Sequence, residues 1–193
     1  MADRAVPTLV AEDHVCAACG IRYADLSVGE ALETLAGLPQ RYTAAVAEVP
    51  EPDRSVRPAA GVWSVAEYVC HVRDVFVTYT IRLYRVRTEE QPALEPMYND
   101  LRAARFGYRE RPLAPVLDDL AAAVVGFTGE AARVRPDGWD RSGHRRPGEE
   151  RSARWLVRQS LHEGVHHLAD VATVASGVAA AGGMNENRPT GPA

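Results

Sequence analysis

The sequence predicts an all-α protein, a four-helix bundle with one long crossover connection. Three observations lead there: four segments carry apolar residues at helical spacing, readable start and stop signals bracket them, and no strand-like alternation lies between them. Each segment is roughly 20 residues, or about 30 Å of helix. Matched lengths of this kind pack as a bundle.

The first helix starts at Ser27-Val28-Gly29-Glu30, an S-x-x-E capping box, and runs to about Glu48 with Leu32, Leu35, Leu38, Tyr42, Ala45 and Val46 on one side. Pro39 should kink it, and Pro50 and Pro52 close it. A second box, Ser64-Val65-Ala66-Glu67, opens a helix to about Val86. Residues 87–112 form the crossover. The third helix lies between Pro112 and Pro136, and the fourth covers 153–176 with Gly177 as a left-handed stop. Between them Trp139-Asp140-Arg141-Ser142-Gly143-His144-Arg145 reads as a turn or small hairpin. The expected organisation is an N-terminal extension over 1–26, a bundle over 27–177 and a flexible tail over 178–193.

Composition narrows the function. The 193 residues are 46% apolar, enough for one core, and the formal net charge is −4. All 22 basic residues are arginine, so no lysine Schiff base is available and every cationic site is a planar fork suited to carboxylate or phosphate. Acids interleave with the arginines, which disfavours nucleic acid as a partner. No long apolar run and no basic n-region followed by an apolar stretch are present, so neither a membrane nor secretion is expected, and a cytoplasmic location is. Cys16, Cys19 and Cys70 cannot all pair. Cys70 reads as a small buried hydrophobe.

The histidines carry the chemistry. At 100° per residue, His162 and His166 lie about 40° apart on the apolar side of the fourth helix, while His167, at about 140°, should point away. An inward i, i+4 pair can clamp one divalent ion. His71 is the candidate third ligand, because Glu67, Asp74, Thr78 and Arg82 make its stripe of the second helix too polar for plain core. Its other ring N–H would then be taken by Asp74 or Glu67. Three imidazoles with an open position suit zinc, nickel or iron. Cys16-Ala17-Ala18-Cys19, preceded by His14, is a candidate second metal site or redox pair.

Taken together, Trp63-Ser64-Val65-Ala66-Glu67 with His71 and Asp74, the Trp139-Asp140-Arg141 turn, and His162-Glu163 with His166-His167-Leu168 resemble the DinB-like family of four-helix-bundle metalloenzymes. The resemblance implies a three-histidine metal site on His71, His162 and His166. It also implies an activity like that of the family's thiol S-transferases and maleylpyruvate isomerase, which use mycothiol or bacillithiol. On that reading Glu163 and Asp74 are catalytic candidates, and Arg82 and Arg158 grip a carboxylate of the substrate. The lysine-free composition points to a GC-rich, actinobacterial-type source, for which mycothiol is the natural thiol. The expected partners are a small-molecule substrate and a thiol cofactor, and a homodimer is compatible with the sequence. Two alternatives stand beside this: a non-catalytic metal-binding or stress-response bundle, and a hydrolase using His162-Glu163-Gly164-Val165-His166 as HExxH.

Overall fold

A computed structural model of the chain describes residues 5–186, with side chains through 177. Helix α1 (Val28–Ala36) begins with the full capping box: the Ser27 hydroxyl accepts from the Glu30 N–H and the Glu30 carboxylate accepts from the Ser27 N–H. The expected kink is a break. Gly37 ends α1, and Pro39 falls in the first turn of α2 (Leu38–Ala47), where a missing N–H leaves no bond unmade. Leu35, Leu38, Tyr42 and Val46 from this pair enter the core.

The second box opens α3 (Val65–Thr88). The crossover carries a short helix, α4 (Asn99–Arg105), and a 3-10 turn, Tyr108–Glu110, before α5 (Leu113–Ala131). Strands β1 (Ser142–His144) and β2 (Glu150–Ser152) form the small antiparallel hairpin, with Ser142 opposite Ser152. Helix α6 (Ala153–Glu186) does not stop at Gly177, whose backbone stays helical. Residues 178–186 of the expected flexible tail are therefore helix, and 187–193 lie outside the described residues.

The bundle closes as a ring in which α6 packs between the α1–α2 pair and α3, and α5 packs between α3 and the α1–α2 pair. Both α3 and α6 are therefore covered on two sides. The N-terminal extension is part of this packing: Leu9 and Tyr23 join the core, the Trp155 indole donates to the Ala11 carbonyl, and Arg151 donates to the carbonyls of Leu9 and Val10. No helix among the described residues is long and apolar enough to cross a membrane.

The hairpin is docked on the crossover by a backbone ladder, to which Arg145 adds a bond to the Leu94 carbonyl. The Leu94 N–H donates to the His144 carbonyl at 2.7 Å and the His144 N–H to the Pro92 carbonyl at 3.0 Å. A Cβ on Gly143 would stand 2.8 Å from the Pro92 oxygen and 2.8 Å from Leu94 Cδ2. A backbone oxygen cannot turn aside as a side chain can. Gly143→Ala is therefore expected to lose about 1–3 kcal/mol, read as a lower denaturant midpoint; an unchanged midpoint would show that the hairpin shifts freely.

Candidate metal centre and adjoining cavity

Four of the six histidines fall into two clusters on two flanks of α6, while His14 and His144 join neither. On the α3 flank, His71 Nε2 is 3.4 Å and His167 Nε2 is 3.2 Å from Glu163 Oε2. The His71 and His167 rings meet edge to face with centroids 4.9 Å apart. Ligand atoms placed tetrahedrally about 2.1 Å from a divalent ion stand about 3.4 Å from one another, so these separations fit one ion shared by His71, Glu163 and His167. On the other flank, His162 and His166 converge with Cys16 and Cys19, all four ligand atoms within 4.8 Å of one another.

The structure thus does not bring His71 together with His162 and His166. Angular reasoning finds which residues of one helix share a side, and here α6 has two inward sides. His162 and His166 face the N-terminal extension, while Glu163 and His167, again four residues apart, face α3. His167, expected to point away, lies against His71. His14 joins neither cluster, and its ring packs on those of Tyr23 and His162. The letters of HExxH are split, with the two histidines beside the cysteines and the glutamate beside His71.

Supporting contacts fix the α3-side cluster. His167 Nδ1 is 2.8 Å from Asp170 Oδ2, so a neutral, metal-ligating ring would carry its proton on Nδ1 and turn Nε2 toward Glu163. The Gln159 amide donates to Glu163 Oε1 at 2.5 Å, and Gln159 Oε1 accepts from the Tyr23 hydroxyl at 2.5 Å. Gly164 lets α6 approach α2, since a Cβ there would lie 2.5 Å from Leu38 Cδ2; its carbonyl accepts from the Tyr42 hydroxyl.

Electrostatics follows from these partners. Burial would lower the His167 pKa, but hydrogen bonds to Asp170 and Glu163 outweigh it and push it up to about 9. Burial would raise Glu163, yet the contacts from His167 and His71 hold it well below the usual carboxylate range. On the far flank burial pulls His162 down to about 4, which keeps its imidazole neutral.

Beside the cluster opens a cavity of about 180 Å³, reached by His71 and Glu163 and walled by Tyr79, Arg82, Tyr98 and Arg145. Arg82 is 5% exposed, lies over the Tyr79 ring and donates to the Glu95 carbonyl, but its Nε is buried without a partner among the described residues. Burial first, and then the Arg82 charge, lower the pKa of Arg145. Both guanidiniums belong to the lining of this one cavity, and Arg145 also donates to the carbonyls of Leu94 and Pro7. Tyr98, held in the left-handed region at φ 48°, is one of two non-glycine residues with positive φ among those described.

Two expected site residues have other employment. Asp74 accepts from Arg73, Arg102 and Tyr108, tying α3 to α4 and the 108–110 turn, and does not line the cavity. Arg158 donates to the Leu26 carbonyl and anchors α6 to the extension, also away from the cavity. Glu67 is taken by the capping box and Arg57. Arg145, Gln159, Tyr23 and Asp170 were not legible as site residues; for His167 the signal was present, as the i, i+4 partner of Glu163.

A family model described as the DinB superfamily matches residues 34–171. No curated protein matches the chain. Among solved structures, YfiT from Bacillus subtilis, described as a probable metal-dependent hydrolase with an unusual four-helix bundle topology, is 17% identical with a TM-score of 0.72, covering 77% of this chain and 86% of its own. A mycothiol-dependent maleylpyruvate isomerase is 18% identical with a TM-score of 0.61, covering 77% of this chain and 62% of its own. Likeness at these identities shows the shared fold.

The raised His167 pKa has a sign that can be measured. Its charged pairing with Glu163 and Asp170 stabilises the metal-depleted fold fully below about 6.5, the unfolded value, and is lost as pH rises through about 9. Metal-depleted protein should lose on the order of 3 kcal/mol of unfolding free energy across that window, and Asp170→Asn should flatten the profile. An equally steep profile in His167→Gln would assign the loss to other groups.

Proposed function

The chain belongs to the DinB superfamily, and from that premise and the geometry of the cluster we propose that it is a divalent-metal-dependent enzyme that uses a low-molecular-weight thiol of the mycothiol type on a small, acidic electrophile. His71, Glu163 and His167 would hold the ion, with zinc, nickel and iron all suited to that donor set. When bound, the ion would supply a Lewis acid that lowers the pKa of a coordinated thiol, so that sulfur is available as thiolate near neutral pH.

The observation that carries this reading is the cavity against the cluster. Its charged lining is Arg82 and Arg145 with Glu163, and among the described residues Glu163 is its only carboxylate. Arg82 and Arg145, which line the cavity, would hold the substrate carboxylate. Gln159 keeps Glu163 turned toward His71. In transfer, sulfur bonds to the electrophilic carbon as the leaving group departs with its electron pair; in isomerisation, sulfur adds and is later expelled, leaving the thiol unchanged.

The lining also bears on hydrolysis. Activating water at neutral pH is helped by a general base near the nucleophile, and the one carboxylate here is committed to His71, His167 and Gln159. A thiol deprotonates far more readily than water, so it needs no such base. The arginine-only composition and the mycothiol dependence of one protein of the same fold support mycothiol in particular.

The test is thiol-dependent turnover of a carboxylate-bearing electrophile by metal-loaded protein. His71→Ala and His167→Ala should each lower metal at this site and turnover at least tenfold, and Arg82→Gln should raise KM about tenfold, the worth of about 1.4 kcal/mol, with less effect on kcat. Peptide or amide hydrolysis without thiol, abolished by Glu163→Gln, would overturn the thiol reading. Retained metal with no thiol-dependent turnover across an electrophile panel would favour the non-catalytic one.

A further inference from the structure

We propose that Cys16, Cys19, His162 and His166 form a second metal site, a closed four-ligand zinc centre that staples the N-terminal extension to α6. The donor set is Cys-x2-Cys from one turn and His-x3-His from one helix, the ligand classes and spacings of structural zinc. Its four ligand atoms lie within 4.8 Å of one another, and Cys16 Sγ is 3.5 Å from His166 Nδ1. Sulfur and nitrogen bonded tetrahedrally to one zinc would stand about 3.6 Å apart.

The turn is built to point both thiols one way. Val15 bridges Arg22, the Cys16 N–H donates to the Ile21 carbonyl at 2.9 Å, and the Gly20 N–H donates to the Cys16 carbonyl at 2.9 Å. Gly20, at φ +76°, supplies the left-handed residue that returns the chain just past Cys19.

A second, independent observation comes from the histidine side. His162 Nδ1 is 2.9 Å from the Tyr23 hydroxyl, and its Nε2 is buried without a partner among the described residues. A buried imidazole nitrogen left bare is costly, and here it belongs to a residue already grouped with two thiols. Asp170 Oδ2, which bonds His167 Nδ1, also lies 3.7 Å from His166 Nε2.

The centre also has a purpose in the fold. The extension has few core residues of its own, yet Pro7, Thr8, Leu9 and Val10 form one wall of the cavity. Zinc at the turn would hold that segment without a large apolar core. Binding releases the two thiol protons to solvent and changes no oxidation state. The same contacts reach the other cluster, since Tyr23 bonds both His162 and Gln159, and Gln159 bonds Glu163.

The experiment is metal analysis and cobalt substitution of the full chain with no small thiol present. Cobalt-loaded protein should show a sulfur-to-cobalt charge-transfer band in the near ultraviolet, kept in His71→Ala and lost in Cys16→Ser/Cys19→Ser. The cysteine double variant should lose one equivalent of zinc relative to the parent and melt at lower temperature, while His71→Ala leaves the cysteine-bound equivalent in place. If the double variant does not fold, X-ray absorption on zinc-loaded parent protein decides, with sulfur neighbours at about 2.3 Å expected. Only nitrogen and oxygen neighbours, a band that survives in the double variant, or a Cys16–Cys19 disulfide in freshly purified protein would overturn the site. Failure of the His71 cluster to bind metal would instead leave one equivalent in the parent and none in the double variant, which separates the two proposals.

Discussion

Helix α3 buries more polar side chains than a bundle interior tolerates unpaired, and the rest of the molecule is arranged to partner them. Burying a charge is costly unless it is paired or ligated, so the allocation of partners along this helix assigns roles. Glu67 goes to Arg57 and the helix cap, and Asp74 goes to Arg73, Arg102 and Tyr108. What remains is His71 with Glu163 and His167, together with Arg82. Four buried side-chain atoms lack a partner among the described residues, and three of them belong to His71, Arg82 and His162. Native interiors leave few such atoms; His162 Nε2 lies at the cysteine turn and Arg82 belongs to the cavity lining, while His71 Nδ1 is the ring nitrogen other than the one facing Glu163.

What the sequence made legible was local. The two S-x-x-E boxes start α1 and α3 where the letters place them, because a cap needs only residues within one turn. The polar stripe around His71 was likewise readable, since the periodicity of one helix shows which residues share its face. Which neighbour that face meets is a tertiary fact. With α6 flanked by α3 on one side and by the extension on the other, the His162–His166 pair and the Glu163–His167 pair are both inward, and one helical wheel could not assign His71 to the second. Gly177 failed as a stop because glycine permits a left-handed turn without requiring one, and α6 runs on through it.

The cysteine turn teaches the same lesson from the other end. Sequence proximity nominates His14 as a partner for Cys16 and Cys19, but a ligand must point at the metal, and His14 stacks on Tyr23 and His162 instead. The histidines that do converge lie on the last helix, brought there by the Trp155, Arg151 and Arg158 contacts that bind the extension to α6 and the hairpin.

These two arrangements make α6 a rack with ligands on both flanks, and the flanks are not independent. Asp170 lies beside both His166 and His167, and the Tyr23–Gln159 pair runs from His162 to Glu163. A proton or charge added on one flank therefore changes the hydrogen-bond partners available on the other. The orientation of Glu163 is set through Gln159 by Tyr23 of the extension, four residues beyond Cys19. In this bundle the N-terminal extension is thus part of the site's scaffold. It walls the cavity through Pro7–Val10 and orients the carboxylate through Tyr23, two tasks that a bundle of four helices alone would leave undone.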